Sequence, residues 1–177
     1  GTGLKLILVT HPIQYYNPWF IELSRTDDVK VAFCADFSSG NFIDLAGKAE
    51  LWLDGGHNPA AGQALAGHLA TLAPRPTYMV CGMLNTKDIF GYLTPFVPHV
   101  KELVGVSIPN EINTLSAEQT VDYACSAGIT AQTAQTVREA IETIVQRDPS
   151  ARILLCGSLY LAGEILRQNN STKGDNY

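Results

Sequence analysis

Apolar residues along this chain come in short unbroken runs, separated by stretches in which they recur every three or four positions. Residues 4–10, 29–35, 51–54, 77–81, 99–106 and 152–156 are runs of the first kind, with a weaker one at 129–132. Such runs fit strands buried on both faces of a parallel sheet. Between them, Ala61, Leu65, Leu69 and Leu72 follow a four-residue spacing behind Asn58 and Pro59. Val137, Ala140, Ile141, Ile144 and Val145 form one stripe of a helix over 134–147. Asn17 and Pro18 read as the cap and first residue of a helix carrying Trp19, Phe20 and Leu23. Thr86 is positioned to cap a short helix through Ile89, Phe90 and Leu93 that stops near Pro95. Ser116 with Gln119 predicts a capping box ahead of a helix to Ala127, and 158–167 reads as the last helix.

Strands alternating with helices at this spacing predict an α/β fold, a Rossmann-like three-layer domain with a mainly parallel sheet covered on both faces. Residues 4–168 read as a single domain and 169–177 as a polar, frayed tail. Residues 4–36 read as a βαβ unit with a right-handed crossover. The turn-rich stretch 37–48, with Ser38, Ser39, Gly40 and Gly47, is the one seam.

Composition narrows the class. The 177 residues are 46% hydrophobic and 16% charged, with 15 Gly and 9 Pro, which is globular rather than disordered. A net charge of -5 with scattered basic residues excludes a general nucleic-acid or anionic-membrane surface. No apolar stretch is long enough for a membrane span and no signal-peptide pattern is present, so a cytoplasmic protein is expected. Cys34, Cys81, Cys125 and Cys156 form no CxxC pair and read as buried thiols; no metal site is expected.

In parallel α/β sheets, ligands bind beyond the carboxyl ends of the strands, where helix N-termini present free N–H groups. The loops to read are therefore 10–12, 54–59, 82–88, 107–114 and 157–158. In the second, an Asp ends a strand, two glycines allow close backbone approach, and His-Asn-Pro opens a helix. Asp54 could accept from a ribose hydroxyl, and His57 could bond an anionic group or position a nucleophile. Turn and cap roles for Asp54 and Asn58, with His57 an exposed loop residue, explain the same residues. Lys87 near a helix start suits a phosphate or carboxylate, with Asp88 close enough to orient it, or the two form a solvated pair. Ser158 places a hydroxyl at a helix N-terminus, as an anion ligand or as an ordinary cap.

Three of these segments carry a resemblance. LWLDGGHNPAA at 51–61, VCGMLNTKD at 80–88 and CGSLYLAGEIL at 156–166 resemble, in order, the C-terminal domain of the folylpolyglutamate synthase and dihydrofolate synthase family, over about 46–168. That family is related to the Mur ligases, which use ATP and Mg²⁺ to activate a carboxylate as an acyl phosphate that an amino acid's nitrogen attacks. The resemblance implies that Asp54 meets the ATP ribose, that His57 and Asn58 lie beside the nucleotide or incoming glutamate, that Lys87 faces the interdomain cleft, and that Ser158 and Tyr160 lie near the amino-acid pocket.

The sequence also departs from the family. No GxxxxGK[ST] phosphate loop occurs: Gly47-Lys48 is followed by Ala49, and Phe42 stands where the first glycine belongs. The family's arginine about a dozen residues before the aspartate has no counterpart near Asn41. Residues 10–20, THPIQYYNPWF, resemble instead the opening strand and helix of bacterial glycosyltransferases, with His11, Gln14 and Tyr15 as structural residues of that unit or as acceptor-loop candidates. A recombined, chimeric chain is therefore expected. Its ligase-like part carries no catalytic residue of its own and binds ATP or glutamate weakly at most. A nucleotide- or glutamate-binding module, or a ligase subunit completed by a separate P-loop ATPase domain, are the alternatives.

Overall fold

The computed structural model describes residues 5–6, 21–23, 31–33 and 41–170. In chain order the elements are β1 (Lys5–Leu6), β2 (Ile21–Leu23), β3 (Val31–Phe33), α1 (Asn41–Ala46), β4 (Glu50–Leu53), α2 (Pro59–Thr71), β5 (Thr77–Cys81), α3 (Ile89–Leu93), β6 (Glu102–Gly105), α4 (Ala117–Ala127), β7 (Ala131–Thr133), α5 (Val137–Arg147), β8 (Arg152–Cys156) and α6 (Leu159–Asn170). A short 3-10 turn, Thr94–Phe96, follows α3. The main sheet has six strands in the order β1-β4-β8-β5-β6-β7, and every pairing in it is parallel. This is the three-layer α/β architecture expected from the alternating runs.

Both faces of the sheet are covered, as its uninterrupted apolar strands require. Alternation along β4 sends Leu51 and Leu53 to a core shared with Phe42 of α1, Ile141 and Ile144 of α5, and Leu161 and Ile165 of α6. Trp52 faces the opposite core, with Leu65 and Leu69 of α2, Tyr92 and Leu93 of α3, and Ala124 of α4. The central strands β5 and β8 are buried along their whole length. At their amino ends, the guanidinium of Arg152 is held by Glu50 at 3.1 Å and the Ala73 carbonyl at 3.2 Å, and stacks over Trp52.

Local signals place most element ends. Asn58 accepts from the Ala61 amide at the start of α2, with Pro59 in the first helical position. Ser116 and Gln119 form the expected reciprocal capping box on α4, and Gly128 at φ 98 ends that helix in the left-handed region that glycine tolerates.

Several expectations are corrected. The expected helix behind Pro18 does not reach Leu23: Ile21–Leu23 is a strand, paired antiparallel with Val31–Phe33 in a separate two-stranded sheet. Apolar residues at 21, 23, 31 and 33 fit a period of two, and an antiparallel pair needs only a short connection where a parallel one needs a crossover. Of the run at 4–10, Lys5–Leu6 pairs parallel with Trp52 and Leu53 of β4. Residues 10–20, with His11, Gln14, Tyr15 and the glycosyltransferase-like motif, lie outside the described residues. The stretch 37–48 contains a helix, α1, whose Phe42 and Ala46 are buried at helical spacing; the flanking glycines and serines conceal it. Asp88, not Thr86, caps α3, accepting from the Gly91 amide at 2.9 Å. Asn169 belongs to no frayed tail: it is buried within α6 and its Oδ1 accepts from the Phe42 amide at 3.0 Å.

Candidate functional site

Strand order decides which loops meet. β8 lies between β4 and β5 and runs parallel to both, so the segments leaving β4, β8 and β5 emerge side by side at one edge. The ladder continues past the strand ends: the Asp54 amide donates to the Leu155 carbonyl at 2.9 Å, and the Gly82 amide to the Cys156 carbonyl at 3.3 Å. Asp54, the 82–88 loop and Gly157-Ser158 therefore share the carboxyl edge. Gly157 sits at φ +106, and a Cβ on it would lie 2.8 Å from both the Cys81 sulfur and the Gly82 carbonyl oxygen. Only glycine fits there.

Asp54 is buried, and its Oδ1 accepts from the Gly56 amide at 2.7 Å. Burial raises its pKa to about 7, and the Gly56 hydrogen bond offsets only part of that rise. Its carboxyl group is thus balanced between proton donor and acceptor near neutral pH. His57 Nδ1 stands 3.1 Å from the Gly55 carbonyl. Because a carbonyl only accepts, the proton of the neutral ring sits on Nδ1 and Nε2 is left with a free lone pair. The half-buried imidazole thus presents one acceptor nitrogen beside the start of α2.

Asn58 is committed to its cap, with Oδ1 accepting from Ala61 at 2.9 Å. α3 closes against this corner: a Cβ on Gly91 would meet the Asp88 carboxylate and stand 2.8 Å from Pro59 Cγ, and one on Gly62 would strike the Tyr92 carbonyl oxygen. Lys87 is thereby held near the start of α2. Lys87 is half-buried as a residue and has no ion-pair partner among the described residues, and the expected Lys87–Asp88 pairing gives way to Asp88 capping α3. Ser158 is buried and its Oγ accepts from the Tyr160 amide at 3.1 Å, so the ordinary-cap role is met while the hydroxyl proton stays available. Tyr160, on the first turn of α6, is 60% exposed.

Asn41, at the position near which the family's arginine is missing, lies elsewhere. Its amide donates to the Gln168 carbonyl at 2.9 Å, at the end of α6 remote from Ser158. Among the described residues, no group of three or more His, Cys, Asp or Glu is placed to hold a metal ion. No described helix is long and apolar enough to cross a membrane.

Sequence reasoning missed what lies beneath Asp54. Tyr92 is fully buried and its hydroxyl has no hydrogen-bond partner of good geometry among the described residues. Burial first, then the neighbouring Cys156 thiol, Asp54 and Cys81, push its pKa well up. In the sequence Tyr92 is one apolar position of a short helix, and nothing there signals this neighbourhood.

The family model for the dihydrofolate synthetase C-terminal domain matches residues 43–168. No curated protein matches at the level of sequence. Among solved structures, Mycobacterium tuberculosis folylpolyglutamate synthase complexed with ADP superposes with TM-score 0.61 at 26% identity, over 70% of this chain and 30% of that one. A bifunctional folylpolyglutamate synthase/dihydrofolate synthase with Mn, AMPPNP and L-glutamate bound gives TM-score 0.55 at 25% identity, over 65% of this chain and 28% of that one. E. coli FolC in complex with DHPP and ADP shares the fold, with TM-score 0.56 at 22% identity, over 69% of this chain and 28% of that one. The chain thus spans about a third or less of the length of these ligases.

Proposed function

Because the chain belongs to the dihydrofolate synthetase C-terminal domain family, we propose that it supplies one wall of an ATP-dependent carboxylate–amine ligase site and does not complete the reaction by itself. The observation that carries this reading is the shared carboxyl edge: Asp54, His57 and Ser158 leave adjacent parallel strands within the matched residues. Asp54 Oδ2, with no donor among the described residues, is the acceptor for a ribose hydroxyl, and the Gly56 amide holds the carboxyl in place. His57 Nε2 and the backbone opening at Asn58 lie beside the nucleotide. Lys87, a cation with no ion-pair partner among the described residues, faces the transferred phosphate or the substrate carboxylate. Ser158, through its free hydroxyl proton, and Tyr160, through its exposed ring, contact the incoming glutamate.

ATP with Mg²⁺ supplies the activation of the carboxylate in such ligases. Charge neutralisation and alignment of the phosphates supply most of that rate enhancement. These 177 residues contain no GxxxxGK[ST] loop to provide it, so the chain alone binds ATP or glutamate weakly and turns nothing over. The ligands meet an open wall, and a shallow surface buries too little of a small molecule for tight affinity. We also read residues 4–36 as a glycosyltransferase-like segment joined to the ligase-like part in one domain. This rests on the residue 10–20 motif and on a family match that begins at residue 43. The site's substrates point to a cytoplasmic protein.

Calorimetry of the purified chain with MgATP and with glutamate, alongside an assay of ADP release dependent on both folate and glutamate, tests the reading. Weak binding that Asp54→Ala abolishes, with no ADP release, is expected. Folate- and glutamate-dependent ADP release by the chain alone overturns it. Release that appears only when a P-loop ATPase domain is added identifies the chain as a subunit that such a domain completes.

A further inference from the structure

Cys81 and Cys156 are the last residues of β5 and β8 and are direct partners in the parallel register of those strands. In-register residues of parallel neighbours project to the same face, and both thiols lie in the core that contains Tyr92. Both are free and buried. Interaction between the two thiols is among the causes, after burial, that hold the Cys156 pKa up, while the neighbouring Tyr92 hydroxyl acts the other way without a hydrogen bond of good geometry.

Two chemical fates are open to a buried thiol pair, and backbone spacing separates them. Parallel neighbours lie about 4.8 Å apart, and in-register Cβ atoms share roughly that spacing. A disulfide prefers Cβ atoms about 3.8 Å apart, so it would pinch together two strands held by a continuous ladder. Two thiolates sharing one ion in a line, with metal–sulfur bonds of about 2.3 Å each, need sulfurs about 4.6 Å apart. With Cβ atoms at about the strand spacing, rotation about χ1 alone brings the two sulfurs to that separation without moving the backbone. Soft thiolate donors select soft d¹⁰ cations, Cu⁺ foremost.

Tyr92 is a second, independent observation. Its hydroxyl is fully buried, beside the Cys156 thiol, and lacks a partner of good geometry. An unsatisfied buried hydroxyl is costly. A thiolate at Cys156 would be a far stronger acceptor than the thiol and would take that hydrogen.

We propose that Cys81 and Cys156 form a two-coordinate dithiolate site for a soft d¹⁰ cation, with Tyr92 as the hydrogen-bond donor to the Cys156 sulfur. Each thiol gives up its proton as its sulfur takes the ion, so one cation binds and two protons leave, with no change of oxidation state. The site ties β5 to β8 directly beneath Gly82 and Gly157-Ser158, at the carboxyl edge where both strands end.

The test uses the full chain carrying Cys34→Ser and Cys125→Ser, so that the exposed thiol of α4 and the remaining cysteine do not compete. Cu⁺ is titrated anaerobically against a chromophoric Cu⁺ chelator. One equivalent bound, weakened at least a hundredfold by Cys81→Ala or Cys156→Ala and about tenfold by Tyr92→Phe, is expected. Equal affinity in either cysteine variant, or loss of binding in the Cys34→Ser/Cys125→Ser background itself, overturns the proposal. Should an alanine variant fail to fold, X-ray absorption on the Cu⁺-loaded background protein decides the matter. Two sulfur neighbours in a linear arrangement support the site, and any other coordination refutes it.

Discussion

The amide of Gly56 donates to Asp54 Oδ1 at 2.7 Å, and a Cβ on Gly56 would stand 2.6 Å from that same oxygen and 2.8 Å from Ala61 Cβ. The glycine is therefore required by close approach: the turn must bring its backbone against the carboxylate before α2 begins. Gly56→Ala is expected to destabilise the chain by about 1–3 kcal/mol, the usual cost of forcing extra volume into a filled site. Urea unfolding at constant pH measures it, and an unchanged midpoint would show that the turn relaxes freely.

Asp54 also makes stability depend on pH. Its folded pKa, about 7, lies above the ordinary aspartate value of 3.8, so between those values the native state holds a proton that the unfolded chain has released. Stability from this group accordingly falls as pH rises from 4 to 7 and is level above that, with a total change of up to about 4 kcal/mol. Asp54→Asn should flatten that slope and be relatively more stable than the parent at pH 8. Parallel unfolding curves of the two proteins across pH 4.5–8 would contradict the raised pKa.

Asn58 and Ser158 cap α2 and α6 through single side-chain acceptors. Asn58→Ala and Ser158→Ala should each cost about 1 kcal/mol. Their effects should add, because the two caps serve different helices and share no partner. A double mutant far more destabilised than the sum, measured by thermal or urea unfolding, would mean that the two loops fold as one unit.

Phe42 is 2% exposed and packs in the core formed by α1, α5 and α6, while Asn41 and the Phe42 amide bond to the end of α6. Phe42→Ala should cost about 3–5 kcal/mol, and removal of residues 1–45 should be at least as damaging. A truncated chain as stable and soluble as the whole would show that α1 is dispensable to the core.

The run-and-period pattern was enough to locate β4, β5, β8, α2, α4 and α5 to within a few residues. Strands buried on both faces have little compositional choice, and the caps at Asn58 and Ser116 act over three residues of chain. That locality also made the 54–59 loop legible as a turn leading from β4 into α2, since Asp54 and Asn58 bond to amides within three residues of chain. It failed where the decisive partner lay far away. α1 is a helix because Phe42 and Asn41 meet residues 127 positions onward, and Ile21–Leu23 is a strand because Val31–Phe33 pairs with it. The burial that raises the Asp54 pKa, the in-register meeting of Cys81 with Cys156, and the placement of Tyr92 against them were likewise decided only by the tertiary structure. Each depends on strand order, and an order that inserts β8 between β4 and β5 is set by the packing of the complete sheet, which no local window of sequence contains.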